Sequence, residues 1–157
     1  GHCYVISNEG SFGGDVLKIG MTRRIDPLDR VRELGDASVP FEFDVHAMVY
    51  SEDAPGLEKQ LHRAFNETRV NMVNPRKEFF RVGLAAVREK LSTLGVEAEF
   101  TLAAAAREFR ETQALQQAST EQRQAALAAV LAAEEHIEED AEDAAEGVAV
   151  RQFEGAE

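Results

Sequence analysis

Hydrophobic and polar residues alternate in several short segments of this chain, which is the pattern of half-buried β-strands. Residues 2–7 and 16–21 are two runs rich in β-forming residues, and the glycine-containing loop between them predicts an antiparallel hairpin. Alternation over residues 41–50 predicts a central strand, and residues 79–82 can form a short further strand. We therefore expect a sheet of three or four mostly antiparallel strands.

Apolar residues at three- and four-residue spacing predict three helices that flank this sheet. The first helix starts at Asp26-Pro27 and stops at Gly35, the second is capped by Ser51, and the third ends at Gly95. Residues 1–95 are therefore predicted to form a small α/β domain of the α+β type.

The rest of the chain has a different composition. From residue 100 to residue 146 it is rich in Ala, Glu and Gln and has no proline, which predicts helix with an interruption at Ser119-Thr120. Its apolar stripe is too thin and irregular to predict a coiled coil. We expect a sheet domain at 1–95, a helical extension at 96–146 and a disordered tail at 147–157.

Charge is distributed unevenly along the chain. Residues 1–95 hold 13 Lys and Arg against 14 Asp and Glu, whereas residues 96–157 hold 4 against 15. The extension thus carries 11 of the 12 net negative charges. A net acidic protein would argue against a nucleic-acid partner, but the nearly neutral first part can still carry a local basic surface.

The absence of certain segments excludes some classes of protein. Cys3 is the only cysteine, so an internal disulfide cannot form. No apolar run reaches the length of a membrane span and no signal peptide opens the chain, so we expect a cytoplasmic protein without membrane contact. The chain lacks an initiator methionine and begins almost inside its first strand, and we interpret it as part of a longer protein.

Four polar residues stand on consecutive predicted elements. Tyr4 lies in the first strand, Lys18 in the second, Arg30 in the first helix and Glu58 in the second helix. One-metal cleavage of a phosphodiester needs this set of groups. A free tyrosine has a pKa of about 10 and is a poor base, but an ammonium at about 4 Å would favour the phenolate by at most about 4 kcal/mol.

The order and spacing of these residues resemble the GIY-YIG nuclease superfamily. The resemblance rests on Tyr4-Val5-Ile6, Lys18-Ile19-Gly20, the Arg30 and Glu58 helices, and residues 71–80. It is closest to a phage-derived branch labelled a DNA-binding domain and grouped with meiotically-up-regulated-gene-type domains. His2 and Cys3 replace the Gly-Ile of the first family signature, and Lys18 replaces the tyrosine of the second.

The resemblance implies a role for each matching residue. Tyr4 would be the general base and Lys18 would tune it, while Arg30 would bind the scissile phosphate. Glu58 would hold one Mg²⁺ or Mn²⁺ ion, and Asn71 would position the substrate.

Other residues extend or compete with this set. His62 lies four residues after Glu58 and either orients it or relays a proton, or it simply bonds to the backbone. Arg32 competes with Arg30, and Asn74 with Asn71. A basic rim for nucleic acid would consist of Arg23, Arg24, Arg76 and Lys77.

Three functions follow from these observations. The first is a metal-dependent endonuclease that hydrolyses DNA phosphodiester bonds, and the second is a DNA-binding module without catalysis. The third is an interaction domain whose acidic helical tail binds a protein partner or a second copy of the chain. We favour the first, since a pure binder does not need the Tyr4, Arg30 and Glu58 set.

Overall fold

A computed structural model describes the backbone of residues 1–100 and 105–154, and the side chains of residues 1–100 and 105–145. Its sheet has four antiparallel strands in the order β3-β1-β2-β4. The strands are β1 (His2–Ser7), β2 (Val16–Thr22), β3 (Asp44–Tyr50) and β4 (Phe79–Arg81). The predicted hairpin and the predicted mostly antiparallel sheet are confirmed.

The helices lie between and after the strands. In the described ranges they are α1 (Glu9–Phe12), α2 (Pro27–Asp36), α3 (Ala54–Ala64), α4 (Leu84–Thr93), α5 (Arg107–Gln117) and α6 (Thr120–Glu154), and a 3₁₀ turn spans Asn66–Thr68. The mixed α/β class with a helical C-terminal region is therefore confirmed. No described helix combines the length and the apolar composition that a membrane crossing requires.

Side-chain caps fix where the helices begin. Asp26 accepts a hydrogen bond from the Leu28 amide at the start of α2, as its sequence predicts. The cap of α3 is Asp53 rather than the predicted Ser51, because the Asp53 carboxylate accepts from the Gly56 amide. The Ser51 hydroxyl instead accepts from the Asp53 amide and orders the approach to the helix.

Strand β3 is shorter than its alternating pattern predicts. It begins at Asp44 because its partner strand β1 ends at Ser7, directly opposite. Residues 41–43 therefore have no strand to pair with, and the Phe41 carbonyl accepts a hydrogen bond from the Asn8 side chain instead.

The two faces of the sheet pack against different helices. On one face Tyr4 and Ile6 pack with Val31 of α2. On the other face Val5 and Ile19 belong to a core that includes residues of α3 and α4. The buried residues that α3 and α4 contribute to this second core are Ala54, Leu57, Leu61, Val87 and Leu91.

The described chain separates into two compact units, Gly1–Arg110 and Glu111–Glu157. The first unit extends beyond residue 95, since Val96, Ala98 and Phe100 pack against the core. In the same unit the Ala106 amide donates to Asp44, and the Phe109 ring meets Phe41 edge-on at 5.4 Å.

The second unit consists of the end of α5 and the whole of α6. The predicted interruption at Ser119-Thr120 is confirmed: Ser119 and Gln122 exchange hydrogen bonds as a capping box at the start of α6. Helix α6 runs into the segment predicted to be disordered, 147–157, of which residues 155–157 lie outside the described residues. The functional division of the chain at residues 95 and 146 stays a prediction.

Candidate active site at the edge of strand β2

The candidate site lies where β4 stops covering the edge of β2. Strand β4 pairs only with Val16, Leu17 and Lys18 of β2. At the next residue, the Ile19 amide donates to the Glu78 carbonyl, and the Ile19 carbonyl is 2.7 Å from His62 Nε2. Side chains from α3 therefore reach the edge of β2 just beyond its last pairing with β4.

Three potential metal ligands meet at this edge. Glu58 and His62 of α3 and Glu78 before β4 place one ligand atom each within 4.8 Å of one another. On α3, His62 Nε2 and Glu58 Oε1 are 3.7 Å apart, and both side chains are largely buried. Two carboxylates and an imidazole at this spacing fit one divalent cation, and the carboxylates suit Mg²⁺ or Mn²⁺.

The carboxylates repel one another in the absence of a cation. Burial, followed by a hydrogen bond with Glu78 and the Glu78 charge, raises the pKa of Glu58 to about 7. The charge of Lys18 opposes this shift. The raised pKa favours a proton bound between the two carboxyl groups, and a cation would compete with that proton.

Lys18 is bonded to this cluster. It is buried on β2, its ammonium lies 2.9 Å from Glu78 Oε2, and it stands over the Phe79 ring at 5.1 Å. Lys18 thus supplies the positive charge that partly balances the two carboxylates.

Tyr4 lies on the central strand β1 and on the opposite face of the sheet from α3, but the charges of Glu78 and Glu58 still act on it. It pairs with Gly20, while Lys18 pairs with Ile6, so Tyr4 and Lys18 share a face of the sheet. The side chain of Tyr4 lies across Gly20, where a β-carbon would overlap its ring. The glycine of the Lys18-Ile19-Gly20 run therefore makes room for Tyr4.

The protonation of Tyr4 differs from the sequence expectation. Burial first and then the charge of Glu78 raise its pKa to about 12, whereas the charge of Arg30 and a hydrogen bond with it lower the pKa. Glu58 adds a smaller raising effect. The expectation that Lys18 lowers this pKa is not supported, since the pKa is raised and the Lys18 ammonium is bonded to Glu78.

The structure separates the two competing arginines of α2. The charge of Arg30 reaches Tyr4, and its guanidinium is 3.3 Å from Glu33. Arg32 is 2.7 Å from Asp29 on an exposed surface. Of the two, Arg30 is the one beside the candidate site.

His62 is held as a neutral ring. Burial lowers its pKa, and the bond to the Ile19 carbonyl assigns a proton to Nε2. The other ring nitrogen then keeps its lone pair. The nitrogen that lies 3.7 Å from Glu58 is this same Nε2, so a cation bound by His62 at that atom would have to displace the bond to the Ile19 carbonyl.

The predicted asparagine has a local role in this structure. The Asn71 side-chain oxygen accepts from the amides of Val73 and Asn74, and Asn74 accepts from the Arg76 amide. Both asparagines shape the loop before β4. The structure brings neither of them into the cluster of Glu58, His62 and Glu78.

The predicted basic rim is divided by its ion pairs. Arg24 forms a bidentate ion pair with Glu33. Across residues 1–100 and 105–145, Arg23, Arg76 and Lys77 take part in no ion pair. Exposed cations without an acidic partner are the ones that a phosphate backbone can bind at little cost.

A shallow groove of about 370 Å³ opens beside Glu58 and His62. Its other polar lining residues are Lys59, Arg63, Asn66 and Arg69, and prolines 55 and 75 complete it. In the described part of the chain Lys59, Arg63 and Arg69 form no ion pair. The groove thus places positive charge next to the candidate metal ligands.

Sequence reasoning missed Glu78 and the cations of the groove. Lys59 and Arg63 follow Glu58 and His62 at the same four-residue helical spacing, which is a signal that could have found them. Glu78 offers no such signal, because its approach to Lys18 depends on the register of β4 against β2.

A family model described as the T5orf172 domain matches residues 1–95, which is more than half of the chain. No curated protein and no solved structure was found to match.

Proposed function

The chain belongs to the T5orf172 domain family, a GIY-YIG-like, nuclease-associated domain of phage type, and we propose that it is a divalent-metal-dependent endonuclease that hydrolyses DNA phosphodiester bonds. The observation that carries the proposal is the cluster of Glu58, His62 and Glu78, whose ligand atoms lie within 4.8 Å of one another. The adjoining groove of cations supports a polyanionic substrate.

Glu58, Glu78 and His62 are the residues that would hold one Mg²⁺ or Mn²⁺ ion. Once bound, the ion would supply positive charge to the phosphate under attack. Lys18 keeps Glu78 in place through its ion pair, and the Ile19 carbonyl orients His62.

Arg30 would bind the phosphate. It is partly exposed, and its contact to Glu33 is long at 3.3 Å, so a phosphate with two oxygens to offer can replace that carboxylate. Because Arg30 also acts on Tyr4, it would bring the phosphate and the phenol together.

Tyr4 would accept the proton that the attacking water loses. Its pKa of about 12 keeps the phenol protonated at Oη near neutral pH, so the phenol would first have to lose that proton. Neutralisation of Glu78 and Glu58 removes two of the three influences that raise this pKa and leaves the lowering influence of Arg30. The general-base role of Tyr4 therefore depends on compensation of the two carboxylates.

Plasmid nicking tests this proposal. The whole chain should convert supercoiled plasmid to the open circle with Mg²⁺ or Mn²⁺ and not with EDTA. Glu58→Ala should abolish nicking, whereas Glu67→Ala, which removes an exposed carboxylate of the following 3₁₀ turn, should leave it unchanged. Nicking that survives Glu58→Ala would contradict the proposal.

A DNA-binding module without catalysis is the second candidate. The groove cations and the raised pKa of Tyr4 favour it, since binding needs neither a cation nor a phenolate. Retarded migration of duplex DNA in EDTA, together with intact plasmid in Mn²⁺, would support this candidate over the nuclease.

The third hypothesis concerns the tail. The described side chains of α6 are almost all exposed, which leaves them available to a partner. A protein partner or self-association through α6 stays a prediction that size measurement in solution can test.

A further inference from the structure

The loop before β4 exposes two adjacent large apolar side chains. Met72 is 81% exposed and Val73 is 92% exposed, and the nearby Val70 is 42% exposed. Single exposed apolar residues are ordinary on protein surfaces, but neighbouring ones at a loop tip mark a surface that contacts something.

The backbone of this loop is held in a defined conformation. Its tip is closed by the two hydrogen bonds that Asn71 accepts, and its base by the Val70 amide, which donates to the Phe79 carbonyl at 2.9 Å. Arg69 lies over the Phe80 ring at 5.0 Å and donates to the Pro75 carbonyl. Met72 and Val73 are therefore presented by an ordered loop.

Positive charge surrounds the apolar tip. Residues 69–77 contain Arg69, Arg76 and Lys77 and no acidic residue. Among the described side chains none of these three has an ion-pair partner. An apolar tip with cations on both sides complements a duplex, in which phosphates flank stacked apolar bases.

The loop is continuous with the candidate active site. Arg69 and Pro75 line the same groove as Glu58 and His62. A duplex that places a phosphate near Glu58 would therefore bring neighbouring base pairs to the loop.

We propose that Met72 and Val73 insert between the base pairs of duplex DNA from the minor groove and unstack one base step beside the scissile phosphate. The inference rests on the proposed function and deepens it, since it makes deformable duplex DNA the substrate. Arg76 and Lys77 hold the flanking phosphates while the two apolar side chains replace a stacked base. Flexible pyrimidine–purine steps are the sites where this insertion is easiest.

Fluorescence of 2-aminopurine tests the proposal, because this base brightens when it is unstacked. Short duplexes carry the probe at successive positions and are bound in EDTA, so that no cleavage occurs. The whole chain is compared with Met72→Ala/Val73→Ala. The control is Leu127→Ala/Val130→Ala, which removes two exposed apolar side chains of α6.

We expect wild type and control to brighten the probe at one base step, and Met72→Ala/Val73→Ala to lose most of that increase. Its affinity should fall by about tenfold or less, since phosphate contacts supply most of the binding. Arg76→Ala/Lys77→Ala should instead reduce the slope of log affinity against log salt by about 2. Circular dichroism checks that each variant is folded.

Three results would overturn the inference. If wild type binds but the 2-aminopurine fluorescence does not increase, or increases equally with Met72→Ala/Val73→Ala, the loop does not insert. The nuclease proposal is unaffected by that result. If wild type binds no duplex in EDTA, the inference fails, and plasmid nicking with Mg²⁺ or Mn²⁺ decides the nuclease proposal separately. If the same two side chains are needed instead for sedimentation with phosphatidylcholine and phosphatidylserine vesicles, and the probe stays dark, the loop is a membrane contact.

Discussion

Replacement of Gly20 by alanine should destabilise the protein through a collision with Tyr4. The two residues are paired across β1 and β2, and the Tyr4 ring crosses the glycine. A β-carbon on residue 20 would lie 2.5 Å from Tyr4 Cζ and 2.8 Å from its Cε2. Real β-carbons essentially never approach another heavy atom so closely, so either the ring or the strand must move.

The expected cost follows from the burial of the ring. Tyr4 is 2% exposed, so it cannot turn away without disturbing its packing against Ile6 and Val31. Overpacking of this kind costs about 1–3 kcal/mol. For a unit of this size that lowers Tm by about 5–15 °C.

Urea denaturation of Gly20→Ala measures this cost. Gly14→Ala is the matched control, because a β-carbon there meets nothing within 4 Å, and it should change the free energy of unfolding by less than about 0.5 kcal/mol. In a Tyr4→Ala background the cost of Gly20→Ala should disappear, which gives a coupling energy of about 1–3 kcal/mol. Equal effects of the two glycine substitutions, or additivity with Tyr4→Ala, would refute the reasoning.

Four further predictions concern charge and the extension. Burial and Glu78 raise the pKa of Glu58, so this group stabilises the folded protein at acid pH, and that stability is lost as pH rises through about 7. In urea denaturation without divalent cations, Glu58→Gln should remove this pH dependence of the free energy of unfolding. Lys18→Met removes the charge that lowers that pKa, so the carboxyl signal of Glu58 in NMR should titrate at higher pH, with Lys59→Met as the control. A chain that ends at residue 110 should stay folded and bind DNA more tightly at low salt, because residues 111–157 hold 12 acidic and 2 basic side chains; an unchanged affinity would show that the tail does not repel DNA. A chain that ends at residue 95 should lose about 3 kcal/mol or more, because Phe100 and Phe109 then leave their partners.

Local signals in the sequence predicted much of the fold. The hairpin of β1 and β2, the Asp26 cap and the break at Ser119-Thr120 all depend on residues close together in the chain. The packing of residues 96–110 on the first unit could not be predicted in this way. The partner of Phe109 is Phe41, far away in sequence, and the Ala-rich segment between 100 and 110 indicates helix without indicating what it packs on.

The sequence indicated some of the candidate residues, but neither Glu78 nor the electrostatics of the site could be predicted from it. The order of Tyr4, Lys18, Arg30 and Glu58 is a property of the sequence, whereas the shared face of Tyr4 and Lys18 depends on the register of β1 against β2. The pKa of Tyr4 depends on burial and on Glu78, and both depend on tertiary structure. The sequence likewise could not reveal that Arg24 forms an ion pair with Glu33, whereas the described cations of the groove form none.

The central claim is that Glu58, His62 and Glu78 hold one divalent cation, and paramagnetic broadening by Mn²⁺ tests it most directly. The chain has four histidines, of which His62 lies in the cluster and His136 lies on acidic α6, 3.8 Å from Asp140. In a titration followed by NMR of the histidine rings, the account predicts that His62 broadens at lower Mn²⁺ than His136 does. In Glu58→Ala the His62 signal should no longer broaden at lower Mn²⁺ than the His136 signal, whereas in Glu67→Ala it still should. Broadening of His136 first in the wild-type chain, with His62 unaffected, would contradict the account.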